Sequence, residues 1–474
     1  MTSLKKFIFI IILLIFSGQS SLSNTINSTP VGPGIIHHHE FRTAGHWHIH
    51  VLEIDLSNKW IKLETVKANN RLSGRERTSA MATISDREKH RVVGAINGDF
   101  YEAGGIPVGA QVLDGILLKR PTTRSVFGFT LLNKPLIDVV SFEGAISTKR
   151  KNSIAINGVN EIRSTNKLIL YNKYYGSTTR TNIWGTEIIA KYITIHPLVN
   201  DTAHVVVTSK DSIMITGHGN NAIPTNGIIL SGHGTTSSFL NENVFVGDTL
   251  CVLIQFPPLQ QKIIELIGGT PRLIRNGVAT VEWENELCGQ SFSYDRHPRT
   301  AVGFNQDSTK LFFFTVDGRQ PGYSVGMSLF ELADYMLEWS IYQGVNLDGG
   351  GSTTMFVRGN VVNRPSDAGG ERSVANALMV ISTAPTGPLF VLKISPEKVF
   401  VLSGNQKQFS VNGFDQYINS VRINPDSLEW SCNQQFGYIN KSGLFTAGIN
   451  QDSGYVYVSH GNIRDSTRVI LVKD

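Results

Sequence analysis

The chain has 474 residues, 41% of them hydrophobic, with 45 glycines and a formal charge of +5. That length leaves room for two or three domains and at least one large core, and the composition is that of a globular protein rich in strands and turns. No acidic residue precedes Glu40, so losing Lys5 and Lys6 with a leader would bring the charge to +3, too small and too dispersed for a nucleic-acid binder.

Residues 1–23 have the pattern of a signal peptide: Lys5 and Lys6, an apolar run from Phe7 to Phe16, then small and polar residues to Ser23. Ten apolar residues fall short of the roughly 20 that a bilayer requires. No cysteine follows the run, and no later segment is apolar enough to serve as a span. The expectation is an exported protein of the periplasm, cell surface or extracellular space, with no integral membrane segment once the leader is removed. The three cysteines have no metal-type spacing; Cys251 and Cys288 could pair in an oxidising compartment, or all three could be small buried residues.

Six of the 13 histidines fall between His37 and His50. His46, His48 and His50 alternate with Trp47 and Ile49, which puts them on one strand face. With no cysteine or carboxylate sharing the spacing, a solvent-facing polar face is favoured over a metal site. Arg75 to Lys89 reads as a helix capped by Thr78 or Ser79. A buried strand then ends in Asn97-Gly98-Asp99, and the glycine-rich loop that follows is too long for a simple hairpin. Short strands are expected from Val108 to Pro257. Ser231-Gly232-His233-Gly234-Thr235 is a glycine-flanked histidine, a site residue or a turn. Gly268 to Gly277 brings a glycine pair up to Arg272. Arg296-His297-Pro298-Arg299 precedes another strand, and Leu311 to Val316 ends at Asp317-Gly318-Arg319.

Ser328-Leu329-Phe330-Glu331 has the capping-box pattern, followed by an apolar stripe at helical spacing to Ile341 with Gly344 as the C′ residue. Val345 to Leu347 delivers Asp348 to three glycines and three hydroxyl residues. A carboxylate at a strand end beside bare amides suits a polar, anionic or sugar-like ligand; a tight turn is the plainer alternative. Thr383 to Pro388 has linker composition. The remaining residues alternate as short strands, with Trp430 placed for a sandwich core, and gather no catalytic residue types. The fold expected is α+β, a strand-rich domain with few helices over residues 35–383. A small all-β sandwich over 389–474, weakly immunoglobulin-like, follows it.

In order along the chain, Asn97-Gly98-Asp99-Phe100, the Gly268–Gly277 segment, Pro298-Arg299-Thr300-Ala301-Val302-Gly303 and the block Val316–Val380 resemble the phosphodiester glycosidase family. That block includes Asn346 to Thr353 and Gly370 to Ala377. The resemblance spans roughly residues 70–383 and is poor between about 140 and 220. It implies hydrolysis of a sugar-1-phosphodiester, of GlcNAc-1-phosphate type, in glycans or cell-envelope polymers. A phosphate leaves readily, so general-acid help matters less than in ordinary glycoside hydrolysis. A carboxylate must still act on water or the anomeric carbon, and cations must hold the growing phosphate charge.

The carboxylate candidates are Asp348 and Asp99, with Asp317 and Glu371 behind them. Arg272, Arg299 and Arg372 are the phosphate candidates, because a guanidinium grips two oxygens at once. Asn97, Gly349, Gly350, Ser352 and Thr353 are placed to contact sugar or phosphate. No cofactor and no metal is expected, although the oxygen donors near Asn97–Asp99 and Asp348 are of the kind that suit Ca²⁺ or Mg²⁺. The alternative is a carbohydrate-binding or envelope-structural protein without turnover. The concentration of Asp and Arg in glycine-rich segments favours the enzyme.

Overall fold

The computed structural model describes residues 24–194, 198–212, 219–433, 436–449 and 453–473; the leader lies outside them. Among these residues the chain is mostly β. Its helices are α1 (Thr78–Ser85), α2 (Thr235–Asn243), α3 (Gln290–Tyr294) and α4 (Leu329–Glu338). The α+β class expected from the sequence therefore overstates the helical layer. Apolar residues alternate at period two through most of the chain, and glycine turns interrupt it before a helix can propagate.

Two sheets position the site. In the first, eight antiparallel strands run in the order 25–32, 35–42, 47–55, 310–316, 299–304, 343–346, 272–275 and 278–279. In the second, Arg91–Asn97 lies between Met355–Val357 and Asn376–Ser382. One core joins them: Leu52, Val302, Phe313 and Val345 from the first sheet pack with Ile96 and Leu378 from the second. The strands ending at Asn97 and Asn346 thus come from opposing sheets across a shared apolar layer.

Helix α4 covers the outer face of the first sheet through Leu329, Leu332, Ala333 and Met336, against Phe312 and Phe314. Its capping box forms: the Glu331 N–H donates to Ser328 Oγ at 3.1 Å, and the Ser328 N–H donates to Glu331 Oε2 at 2.9 Å. The helix ends earlier than the stripe suggested, at Glu338, and Ser340 just beyond it has φ +58°. Gly344 is not its C′ residue but lies within a strand, where a Cβ would come 2.8 Å from Met336 Cε.

Residues 143–255, which include the stretch of about 140 to 220 where the resemblance is poor, contribute an eight-stranded sheet. It has its own cluster of Ile146, Leu170, Val205 and Leu230 among others. Leu392, Phe409, Phe445, Val456 and Leu471 form another core near the C-terminus. Cys251, Cys288 and Cys432 are all free thiols. Of the three histidines expected on one strand face, His46 lies exposed in the turn before the strand with φ +47°, whereas His48 and His50 are covered. His39 stacks on His50 at 4.3 Å, His48 stacks on Tyr323 at 4.0 Å, and His37 Nε2 meets His50 Nδ1 at 3.1 Å.

Candidate active site

Asn97 ties the two sheets together at the site. Its amide donates to the Asp348 carbonyl at 2.6 Å, and its Oδ1 accepts from Thr300 Oγ1 at 2.8 Å and from the Thr354 N–H at 3.0 Å. The Asp348 N–H donates to the Gly98 carbonyl at 2.9 Å. Segments 251 residues apart in the chain are thereby held together through the Asp348 backbone.

Asp99 lies beneath this junction, 1% exposed. The Gly109 N–H donates to its Oδ2 at 2.6 Å, and its own N–H donates to Asn376 Oδ1 at 2.8 Å. Its Oδ1 is buried with no partner. A Cβ on Gly268 would come 2.6 Å from Oδ2, so that glycine is needed for close approach. Burial pushes the Asp99 carboxyl up to about 7, against the Gly109 hydrogen bond and Arg124, and Asp348 adds to the rise. Burial likewise pushes Asp348 up to about 6, opposed by the Ser352 hydroxyl and the Arg372 charge. A like charge nearby disfavours ionisation, so an ionised Asp348 helps to hold the proton on Asp99.

The three glycines form the wall of a cavity of about 340 Å³. Gly349 backs onto Pro298, whose carbonyl would lie 2.7 Å from an added Cβ. Gly350 has φ +61°, and the Arg319 guanidinium lies over it, 3.0 Å from where a Cβ would stand. Gly351 abuts the Asp367–Arg372 ion pair, leaving no room for a side chain. Asp348, Arg299, Arg319, Arg372 and His297 also line the cavity, and Phe100 and Phe292 form an edge-to-face aromatic wall at 5.8 Å.

The cations are unevenly neutralised. Arg299 is 1% exposed, yet its Nε and Nη2 donate only to the carbonyls of Met327, Phe292 and Asp295, at 2.8, 2.8 and 2.9 Å. Burial, and then the like charge of Arg319, lowers its proton affinity to about 10, still cationic at neutral pH. Arg319 Nη2 reaches His297 Nδ1 at 3.2 Å. Arginine only donates, so this contact leaves the His297 proton on Nε2. Burial, followed by Arg299 and Arg319, lowers the His297 pKa and keeps the ring neutral. Arg372 pairs with Asp367 at 2.7 and 2.9 Å and extends Nη1 to 3.5 Å from Ser352 Oγ. Among the described residues, Asp348 is the one carboxylate lining a cavity with three guanidinium groups.

Other candidates lie elsewhere. Glu371 accepts from the Ser79 N–H at 2.8 Å and from the Ser79 hydroxyl. It thus binds the first turn of α1, whose own N-cap position, Arg77, offers no side-chain bond. The cap expected from Thr78 or Ser79 is supplied from across the chain. Asp317 is saturated by Asn363 Nδ2 at 2.9 Å, Tyr323 OH at 3.0 Å and the Arg364 N–H at 2.9 Å. Arg272 is buried against Asp138 at 2.8 Å and is absent from the cavity lining. Ser352 and Thr353 lie buried behind the glycines, Thr353 Oγ1 without a partner.

Sequence reasoning did not single out Arg319, His297, Phe100 and Phe292 as site residues. The structure brings in the first two because both lie just beyond one end of a strand pairing that closes on the cavity, Arg299 opposite Val316. Among the described residues, no three His, Cys, Asp or Glu side chains converge in a geometry that would hold a metal ion. No helix there is long and apolar enough to cross a membrane.

Residues 199–381 match the profile of the phosphodiester glycosidase family. The chain is 32% identical over 117 residues to N-acetylglucosamine-1-phosphodiester alpha-N-acetylglucosaminidase of Bos taurus, covering 23% of this chain and 22% of that protein. It thus spans about a fifth of that relative's length. An uncharacterized protein of Rickettsia conorii is 24% identical over 226 residues, covering 46% of this chain and 72% of that one. A crystal structure of a hypothetical protein from Synechocystis shares the fold with a TM-score of 0.58 at 20% identity, covering 76% of this chain and 64% of that one. A Burkholderia pseudomallei structure gives 0.50 at 23% identity, covering 70% and 74%.

Proposed function

With a phosphodiester glycosidase segment at residues 199–381 as premise, we propose that this chain is an exported hydrolase of sugar-1-phosphodiester bonds. The cavity beside Asp348 is its active site in this reading. The observation that carries it is Arg299: a buried guanidinium with no carboxylate partner, beside Arg319 and Arg372 in the same cavity. Burying a cation is costly unless an anion completes the site, and a phosphodiester supplies that anion. About 340 Å³ lies in the range of small-ligand sites.

In this reading the three guanidinium groups hold the phosphate, which gains charge as the bond to the anomeric carbon breaks, so they stabilise the transition state more than the bound substrate. Phe100 and Phe292 cover the apolar face of the sugar. Asp348 sits across from the cations and either attacks the anomeric carbon or removes a proton from water. The anomer first released separates the two: retention for attack, inversion for water activation. Asp99, too buried to meet the sugar, acts by setting the charge under Asp348. His297, neutral with its proton on Nε2, is a donor to a phosphate oxygen.

Export rests on the leader pattern of residues 1–23. The two-part organisation, 35–383 and 389–474, with an immunoglobulin-like sandwich at the C-terminus, belongs to the same reading. The test is product analysis with a GlcNAc-1-phosphodiester and UDP-GlcNAc. Free sugar and an intact phosphomonoester or nucleotide are expected. Cleavage on the far side of the phosphorus, giving sugar-1-phosphate, would overturn the assignment of Asp348, as would no product from any of several sugars.

A further inference from the structure

The C-terminal module presents a four-stranded sheet. Its strands run in the order Lys398–Leu402, Ile463–Val472, Ser453–His460 and Glu429–Cys432. Alternation sends Val401, Val456, Val458, Val469 and Leu471 into the core. The opposite set faces outward, with Phe400 62%, Tyr455 45% and Tyr457 41% exposed. The pairing register then fixes the neighbours. Arg468 lies between Lys398 and Tyr455, and Arg464 pairs with Ser459 two positions beyond Tyr457. The rings of Tyr455 and Tyr457 are 6.1 Å apart, and Lys398 rests 5.8 Å over Phe400. A cavity of about 400 Å³ opens at Tyr457, Arg464, Ser431 and Glu429.

Single exposed apolar side chains are ordinary and need no explanation. Here three aromatic rings share one face with Lys398, Arg464 and Arg468, and no ion pair among the described residues neutralises these cations. We propose that this face is a binding site for an anionic polysaccharide, the rings stacking on sugar faces and the cations meeting spaced acidic groups. The register places rings and cations in adjacent rows, as a chain of sugars with periodic charge requires. Glu429 in the cavity is placed to accept hydrogen bonds from sugar hydroxyls. The inference rests on the proposed activity for the choice of polymer: a substrate carrying sugar-1-phosphodiesters is itself such a polysaccharide, so the module would hold the chain while the cavity beside Asp348 cleaves it.

The test is affinity electrophoresis of the full chain carrying Asp348→Asn, which prevents degradation, in gels containing phosphomannan or neutral mannan. Phosphomannan is expected to retard the protein and neutral mannan to do so much less. Tyr455→Ala/Tyr457→Ala and Arg464→Gln/Arg468→Gln should each weaken retention about tenfold, which is ~1.4 kcal/mol. Thermal melting should stay unchanged. Equal retention of the variants, equal retardation by both mannans, or displacement of phosphomannan by lower concentrations of oligothymidylate would overturn the proposal. Binding is read without turnover, so failure of the hydrolytic reading leaves this result independent.

Discussion

Replacing Asn97 by alanine strands three buried groups at once: the Asp348 carbonyl, the Thr354 N–H and the Thr300 hydroxyl. Each buried polar group left without a partner costs about 1–3 kcal/mol, so the loss for the three is about 3–9 kcal/mol before any water enters. That is a large share of the ~5–15 kcal/mol that a domain of this kind has to lose. The same bonds hold Asp348 over the cavity, so kcat should fall together with stability. Urea unfolding followed by tryptophan fluorescence gives the first number, and steady-state kinetics on a GlcNAc-1-phosphodiester the second. Thr300→Val removes one bond of the three and should cost about 1 kcal/mol, with a smaller fall in kcat. A loss under ~1 kcal/mol in Asn97→Ala with kcat intact would refute the idea that this amide clamps the two loops.

Other consequences follow from the same geometry. Glu371→Gln weakens a helix cap rather than a catalytic group, so it should cost about 0.5–2 kcal/mol of stability and leave kcat unchanged; a collapse of kcat in a folded variant would return Glu371 to the chemistry. Gly351→Ala places a Cβ 2.0 Å from Asp367 Oδ1 and 2.2 Å from Arg372 Nη2, displacing that ion pair and raising KM about tenfold, ~1.4 kcal/mol, with a smaller change in kcat. Asp348 and Asp99 hold their protons to about 6 and about 7, more tightly folded than unfolded. Their contribution to stability is therefore full below about pH 4 and is lost as pH rises through those values. The rate should rise as Asp348 ionises and fall as Asp99 ionises, a bell whose limbs belong to the coupled pair. Asp99→Asn should remove the upper limb, and a rate flat between about pH 5 and 8 would contradict this.

The site was legible where local chemistry was unusual. Asp348 with its glycines, and Asn97-Gly98-Asp99, break the period-two pattern at strand ends, and the structure joins them through the Asn97 amide. Arg272 looked equivalent to Arg299 and Arg372, and Glu371 stood behind Asp348 and Asp99 as a carboxylate, because sequence shows a residue's type but not its partner. Asp138 and Ser79, which occupy Arg272 and Glu371, lie 134 and 292 residues away. Arg319 was hidden for the converse reason: an exposed arginine after a strand is ordinary until Gly350 is found beneath it. In the fold, the capping box located the start of α4, where side chains bond within four residues, but its end was set by packing. Gly344 lies within a strand paired with Gly303, where Met336 leaves no room for a Cβ. The stacked histidines show the same limit, since alternation gave their shared face but not the neighbouring strand and Tyr323 that cover it.

The central claim, that Asp348 performs the chemistry in a cavity whose cations hold the phosphate, is tested most directly by Asp348→Asn. Hydrolysis and substrate affinity should be measured on the same preparation. The account predicts kcat for a GlcNAc-1-phosphodiester lower by about 10²–10⁴-fold, with calorimetric affinity for the intact substrate preserved because Arg299, Arg319 and Arg372 remain. Turnover at the parent rate, or an equal loss of affinity and rate, would contradict it.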